Sequence, residues 1–163
     1  MKAVLQRVLS ASVQVGGEEV AAVRSPATGS TVGLLVLLGV QAGDSETDST
    51  FLARKTAELR IFPDDQGKMN RSVQEVNGAI LVVSQFTLIA DWRKGRRPGF
   101  SGAAPPQEGE RLYLHFVEEL KKLGVPVEKG IFGADMKVSL VNDGPVTIMM
   151  DTREANNSSI QIS

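Results

Sequence analysis

The sequence predicts a layered α/β single domain: a mixed sheet backed by a second sheet layer, with two amphipathic helices covering one face. Three observations support this. Short β-branched runs outnumber helical stretches, only two segments carry apolar residues at helical spacing, and no repeat or low-complexity tract divides the 163 residues. A chain of this length buries about two thirds of its unfolded surface around one core, so no second core is required.

The elements follow in order. Residues 4–8 and 12–15 are short β-branched strands, and Gly16-Gly17 supplies a two-residue hairpin turn, so the chain opens as a β-meander. Residues 24–31 have loop chemistry, after which 32–40 return as an apolar, central strand. Asp44 or Ser45 caps a helix running to about Arg60, with Glu46 and Asp48 in its first turn and Phe51, Leu52, Ala53, Ala57 and Leu59 on its apolar face. Residues 61–67 turn the chain, and Asn77-Gly78 is a further tight turn.

Ile80-Leu81-Val82-Val83 leaves no polar side to face water, so it predicts a strand covered on both faces. The second helix is expected from Pro106 to Leu123, with Leu112, Phe116, Leu120 and Leu123 on one face and Gly124 and Pro126 as stop signals. Residues 136–141 and 146–150 give two last strands joined by the loop Asn142-Asp143-Gly144-Pro145. The domain is placed at 1–151, and 152–163 are expected to form a flexible tail.

Composition removes several kinds of chemistry. The chain has no cysteine, which excludes disulfides, thiolate nucleophiles and Cys-ligated metal centres. A net charge of −1 means that nucleic-acid binding requires a local patch. Lys2 and Arg7 interrupt the N-terminal stretch before an apolar signal core forms, and no apolar run reaches membrane-span length; a soluble, cytoplasmic protein without membrane contact is expected.

The polar end of the most apolar run is the first functional clue. Ser84, Gln85 and Thr87 directly follow the Ile80 run and must be satisfied internally or presented to a ligand. Nine residues after Ser84 comes Arg93-Lys94-Gly95-Arg96-Arg97, four cations in five positions, suited to an anionic substrate. A self-satisfied strand end followed by a solvated basic loop gives the same pattern.

Ser84 or Thr87 as a nucleophile needs a general base, and the only imidazole, His115, flanks the buried face of the second helix, where packing accounts for it. No triad is built from it. No pair of His or carboxylate side chains has metal-ligand spacing, so neither metal nor cofactor is expected. Gly144-Pro145, on spacing alone, is an ordinary trans turn.

Taken together, Ser84-Gln85-Phe86-Thr87-Leu88 and Asn142-Asp143-Gly144-Pro145-Val146-Thr147 resemble the paired signatures of the D-aminoacyl-tRNA deacylases, the chiral proofreading enzymes. Residues 33–40, Gly67-Lys68-Met69-Asn70 and Phe132-Gly133-Ala134-Asp135-Met136 extend the resemblance over about 1–151. It implies a homodimer acting on the acceptor end of aminoacyl-tRNA, with no role for DNA. It also implies a cis Gly144-Pro145 bond reaching the partner's site and excluding L-aminoacyl groups, while D-aminoacyl and glycyl esters are accepted.

By the same resemblance Arg7 braces the Gly-Pro segment through its fork of donors. Phe86, Phe132 and Met136 line the adenosine and aminoacyl pocket, with Gly109 at its edge where the family usually has Ala. Thr87 and amides near Phe86 polarise the ester while the tRNA 2′-hydroxyl helps activate water. Arg93, Lys94, Arg96 and Arg97 hold acceptor-stem phosphates without reading bases. Gly99 stands where the family commonly has Ser. Two alternatives stay open: a related deacylase with a trans Gly-Pro bond acting on L-alanyl-tRNA, and a tRNA-binding module without turnover.

Overall fold

Residues 1–24 and 33–157 are described by the computed structural model. The strands are β1 (Lys2–Val15), β2 (Glu18–Arg24), β3 (Gly33–Gly39), β4 (Phe62–Pro63), β5 (Met69–Arg71), β6 (Ala79–Ser84), β7 (Val127–Lys129) and β8 (Met136–Asp151). The helices are α1 (Glu46–Glu58), α2 (Pro106–Lys122) and α3 (Thr152–Asn157), with a 3-10 turn at Phe86–Ile89.

Everything is hung on β1. One of its edges pairs antiparallel with β8 from Lys2↔Asp151 to Val15↔Met136. Its other edge is shared, first by β3 over Lys2–Val8 and then by β2 over Ser10–Val15. β3 pairs parallel with β6, and β6 parallel with β7, giving the order β2-β1-β3-β6-β7. β2 returns against β6 and β7, so the mixed sheet curls into a near-barrel. The two expected N-terminal strands are therefore one. Arg7 and Val8 are both buried, which breaks the alternation, and register shifts between Gln6 and Ser10 bend the strand so that it serves two parts of the sheet.

Alternation along the central strands divides the interior in two. Leu34, Val36, Leu38, Ile80 and Val82 face the helices, where Leu52, Ala53, Leu112, Phe116 and Leu120 cover them. Leu35, Leu81 and Val83 face the opposite way, into the curl, against Val8, Val13, Ala21 and Val23. β3 and β6 are thus buried on both sides, as their aliphatic runs predict. Tyr113 and Val117 join the buried face of α2, while Leu123 is exposed.

Local chemistry explains the ends. Gly16 and Gly17 both have positive φ, as the β1–β2 hairpin requires. Ser45 caps α1, and the Asp48 carboxylate accepts from the Ser45 amide at 2.9 Å. Asp44 instead faces the buried Met1 ammonium at 2.9 Å. Residues 61–71 form the small β4–β5 hairpin rather than a plain turn.

Two further differences from the expectation, and one point where the resemblance prevails over spacing, concern the second half of the chain. The two predicted last strands are the single strand β8, with Pro145 inside it; β8 pairs only with β1, and proline's missing donor costs nothing on the free edge. The Gly144-Pro145 bond is cis, as the resemblance implies and against the trans turn that X–Pro statistics alone favour. Instead of a frayed tail, α3 occupies 152–157, and the buried Thr152 hydroxyl accepts a hydrogen bond from the Met1 amine at 2.6 Å. Most of the expected 24–31 loop, and 158–163, lie outside the described residues. Among the described residues no helix is long and apolar enough to cross a membrane.

Candidate active site

At the C-terminal end of β6 the chain opens a cleft of about 550 Å³, lined by Ser84, Gln85, Phe86 and Thr87 on one side and by Phe132 and Met136 on the other. A ligand site outside the carboxyl ends of parallel strands is the usual consequence of this topology. The Gln85 amide donates to the Leu38 carbonyl at 2.8 Å, carrying the β3–β6 ladder one step further before the 3-10 turn bends away. Gly39 lets that turn cross closely, since a Cβ there would lie 3.0 Å from the Gln85 carbonyl oxygen.

The 3-10 turn sets out the polar groups. The Gln85 side-chain amide donates to the Thr87 hydroxyl oxygen, leaving the hydroxyl proton free to point elsewhere. As the first residues of the turn, Phe86 and Thr87 have amides without a backbone acceptor among the described residues. The Phe86 ring is 59% exposed and meets Phe100 edge to face, with ring centres 5.0 Å apart.

The far wall is clamped from the core. Tyr113 donates its hydroxyl proton toward the carbonyls of Val82 at 3.0 Å and Gly130 at 3.2 Å, tying β6 to the segment beyond β7. Burial pushes the Tyr113 phenol well above its usual range, only partly opposed by the Gly130 contact, so it stays a neutral donor. Gly130 is buried where a Cβ would come 2.6 Å from the Met136 sulfur. Phe132 packs on Tyr113 at 5.9 Å and lies over Gly109, where a Cβ would meet its ring at 3.3 Å. Gly109 therefore shapes the cleft through Phe132 and does not itself line it.

Arg93, Lys94, Arg96 and Arg97 stand on an exposed loop closed by reciprocal backbone bonds between Asp91 and Gly99, at 2.7 and 2.8 Å. Phe100, at the foot of that loop, lines the cleft. Arg93 bonds Asp91 at 2.8 Å and holds its carboxyl below the usual carboxylate range.

Gly144, Pro145 and Arg7 lie apart from this lining. Between Gln6↔Thr147 and Val8↔Asn142, the segment Asp143-Gly144-Pro145-Val146 stands opposite Arg7 alone, a wide bulge. The Asn142 side chain closes its neck, donating to Thr147 Oγ1 at 2.9 Å and accepting from the Val146 amide at 3.1 Å. Arg7 is buried, its Nε 2.9 Å from the Asp143 carboxylate and its Nη1 donating to the Ile61 carbonyl at 2.7 Å. The guanidinium thus braces the bulge through Asp143.

His115 sits between α1 and α2, with Nδ1 3.0 Å from Ser49 Oγ and Nε2 3.8 Å from Glu46, and it does not line the cleft. Among the described residues no group of His and carboxylate side chains has metal-binding geometry. Phe100, Ala103, Ala104 and Pro106 line the cleft without having been picked out from the sequence. Phe100 had a signal: an aromatic residue closing a basic, Pro- and Gly-containing loop.

Fold and cleft place the chain in the class of α/β domains that receive a substrate at a strand end, with hydroxyl, amide and ring groups but no imidazole at the site. Residues 4–151 match the family model described as D-Tyr-tRNA(Tyr) deacylase. The chain is 56% identical to a D-aminoacyl-tRNA deacylase of Geobacter sulfurreducens over 97% of its own length and 99% of the relative's. It is 60% identical to one of Ruegeria pomeroyi, over 93% and 99%. Among solved structures, a c-Myc DNA Unwinding Element Binding Protein superposes with a TM-score of 0.84 at 42% identity, covering 93% of this chain and 98% of that one. A probable eukaryotic D-amino acid tRNA deacylase shares the fold, with a TM-score of 0.72 at 18% identity, covering 92% and 98%. The chain belongs to the D-Tyr-tRNA(Tyr) deacylase family.

Proposed function

We propose that this chain hydrolyses the ester joining a D-amino acid to the 3′ end of tRNA, releasing the free amino acid and tRNA. The observation that carries this reading is that the open cleft is built on Ser84-Gln85-Phe86-Thr87, inside a family match spanning residues 4–151. Relatives bearing the deacylase name are 54% to 60% identical over nearly the whole chain.

Water attacks the ester carbonyl carbon, negative charge develops on the carbonyl oxygen, and the bond to the ribose oxygen breaks as that oxygen gains a proton. The free amides of Phe86 and Thr87 and the Thr87 hydroxyl supply donors for the developing oxyanion. Thr87 positions and polarises; it does not attack. With no imidazole at the cleft, the neighbouring 2′-hydroxyl of the substrate assists the water. Phe86, Phe100 and Phe132 offer ring faces and edges to the terminal adenine, and the loop cations take up phosphates.

Chirality follows from a second copy of the chain. The exposed Gly144-Pro145 bulge, braced by Arg7 and absent from its own cleft, enters the partner's cleft in a homodimer and fills the space of an L side chain. Glycyl esters, lacking a side chain, pass this filter.

The test is paired deacylation of D-Tyr-tRNA and L-Tyr-tRNA, at several enzyme concentrations without added metal, with Gly-tRNA as a third substrate. Fast loss of the D-ester with the L-ester spared is the expected result. Loss of both removes the chiral gate, and loss of neither leaves only tRNA binding.

A further inference from the structure

Trp92 is the chain's one tryptophan, and its side chain has no place in the fold. It is 76% exposed, on the loop whose backbone closes between Asp91 and Gly99. A ring of this size is normally a core or interface residue, so leaving it in water forgoes a large apolar gain. Among the described residues it stacks on no other ring, and no cation lies over it.

The neighbours of the ring define what it fits. Arg93 is turned back onto Asp91, while Lys94, Arg96 and Arg97 are exposed and form no ion pair among the described residues. Asp91 is the loop's only acid, and Arg93 already holds it. Across the closed foot of the loop stands Phe100, edge-on to Phe86 in the cleft. An open aromatic face among free cations, one step outside a pocket for a terminal nucleoside, is the arrangement that takes single-stranded nucleic acid: cations follow the backbone and bases stack on rings.

We infer that Trp92 is a stacking platform for an unpaired base of the RNA 3′ end, while the cations on the same loop hold the adjoining phosphates. This rests on the tRNA-ester reading above. It adds to that reading a contact upstream of the reacting ester, one that is indifferent to base identity because every base has a π-face. It predicts a binding role without a part in the chemical step.

The lone tryptophan makes the test direct. Wild-type protein is titrated with an uncharged RNA hairpin carrying a four-nucleotide single-stranded 3′ tail, and with the same hairpin cut blunt, while indole emission is followed. The tailed RNA is expected to quench the emission and the blunt one to leave it unchanged. In deacylation, Trp92→Ala is expected to raise KM for D-Tyr-tRNA by about tenfold with kcat retained, and Trp92→Phe to recover most of the loss. Equal quenching by both RNAs, or a wild-type KM in Trp92→Ala, overturns the inference while leaving the deacylase reading intact. If the wild type fails to deacylate, that reading falls instead, and the titration still decides the platform.

Discussion

Arg7 and Arg96 carry the same guanidinium and are put to opposite uses. Arg7 is buried behind the β8 bulge, its guanidinium ion-paired with the Asp143 carboxylate and its Nη1 donating to the Ile61 carbonyl. Arg96 stands in water on the 91–99 loop with no ion partner among the described residues. Burial decides the difference. A desolvated guanidinium must be paired with an opposite charge and so becomes part of the scaffold, whereas an exposed one remains available to an incoming anion.

Four measurements test this contrast. Arg7→Met removes the buried cation beside Asp143 and its bond to Ile61 and is expected to lower stability by about 2–4 kcal/mol in urea unfolding, with Arg7→Lys recovering only part because it lacks the fork. An unchanged unfolding midpoint in Arg7→Met would break the comparison at its buried end. Tyr113→Phe asks the same of a neutral buried donor. Losing the shared bond to Val82 and Gly130 should cost about 1–2 kcal/mol, read by the same melt.

At the exposed end, Arg96→Ala combined with Arg97→Ala should shift stability by less than about 0.5 kcal/mol. The slope of log affinity for tRNA against log salt should nevertheless fall by about 1.5. A full wild-type slope would show that these cations meet no phosphate. The smallest effect belongs to Asp64, whose carboxyl is held below its usual value by the Asn70 side chain and the Lys68 amide. Because the folded value is depressed, its contribution is present above an unfolded pKa of about 4 and lost as pH falls through the folded one. Asp64→Asn should therefore flatten the decline of stability between about pH 5 and pH 3, as followed by melting temperature.

Much of this was legible in the residues themselves. The aliphatic run at Ile80 leaves no wet face, and the polar residues that end it do line a cleft. The bend in β1 was not legible, because a bulge interrupts the two-residue alternation that marks a strand, and a broken pattern looks like two short strands. Pro145 misled for a related reason. Proline argues against a strand interior, but that argument fails on an edge where no donor is needed. Phe100 escaped because it enters the cleft through a closed loop, and loop closure depends on backbone bonds that no side-chain pattern announces. The separation of the Gly144 bulge from the cleft depends on how distant strands pair, which local sequence does not encode.

The pairing of β1 with β8 bears on how the chain is made. During synthesis β1 keeps one edge open until the residues of β8 arrive, since Lys2 finds its partner only at Asp151. A product terminated before residue 136 would carry that edge uncovered, with the bonding groups of β1 offered to any passing chain. Such fragments should accumulate as aggregates, not as partly folded monomers. Closure of β1 is thus left to a strand made more than a hundred residues after it.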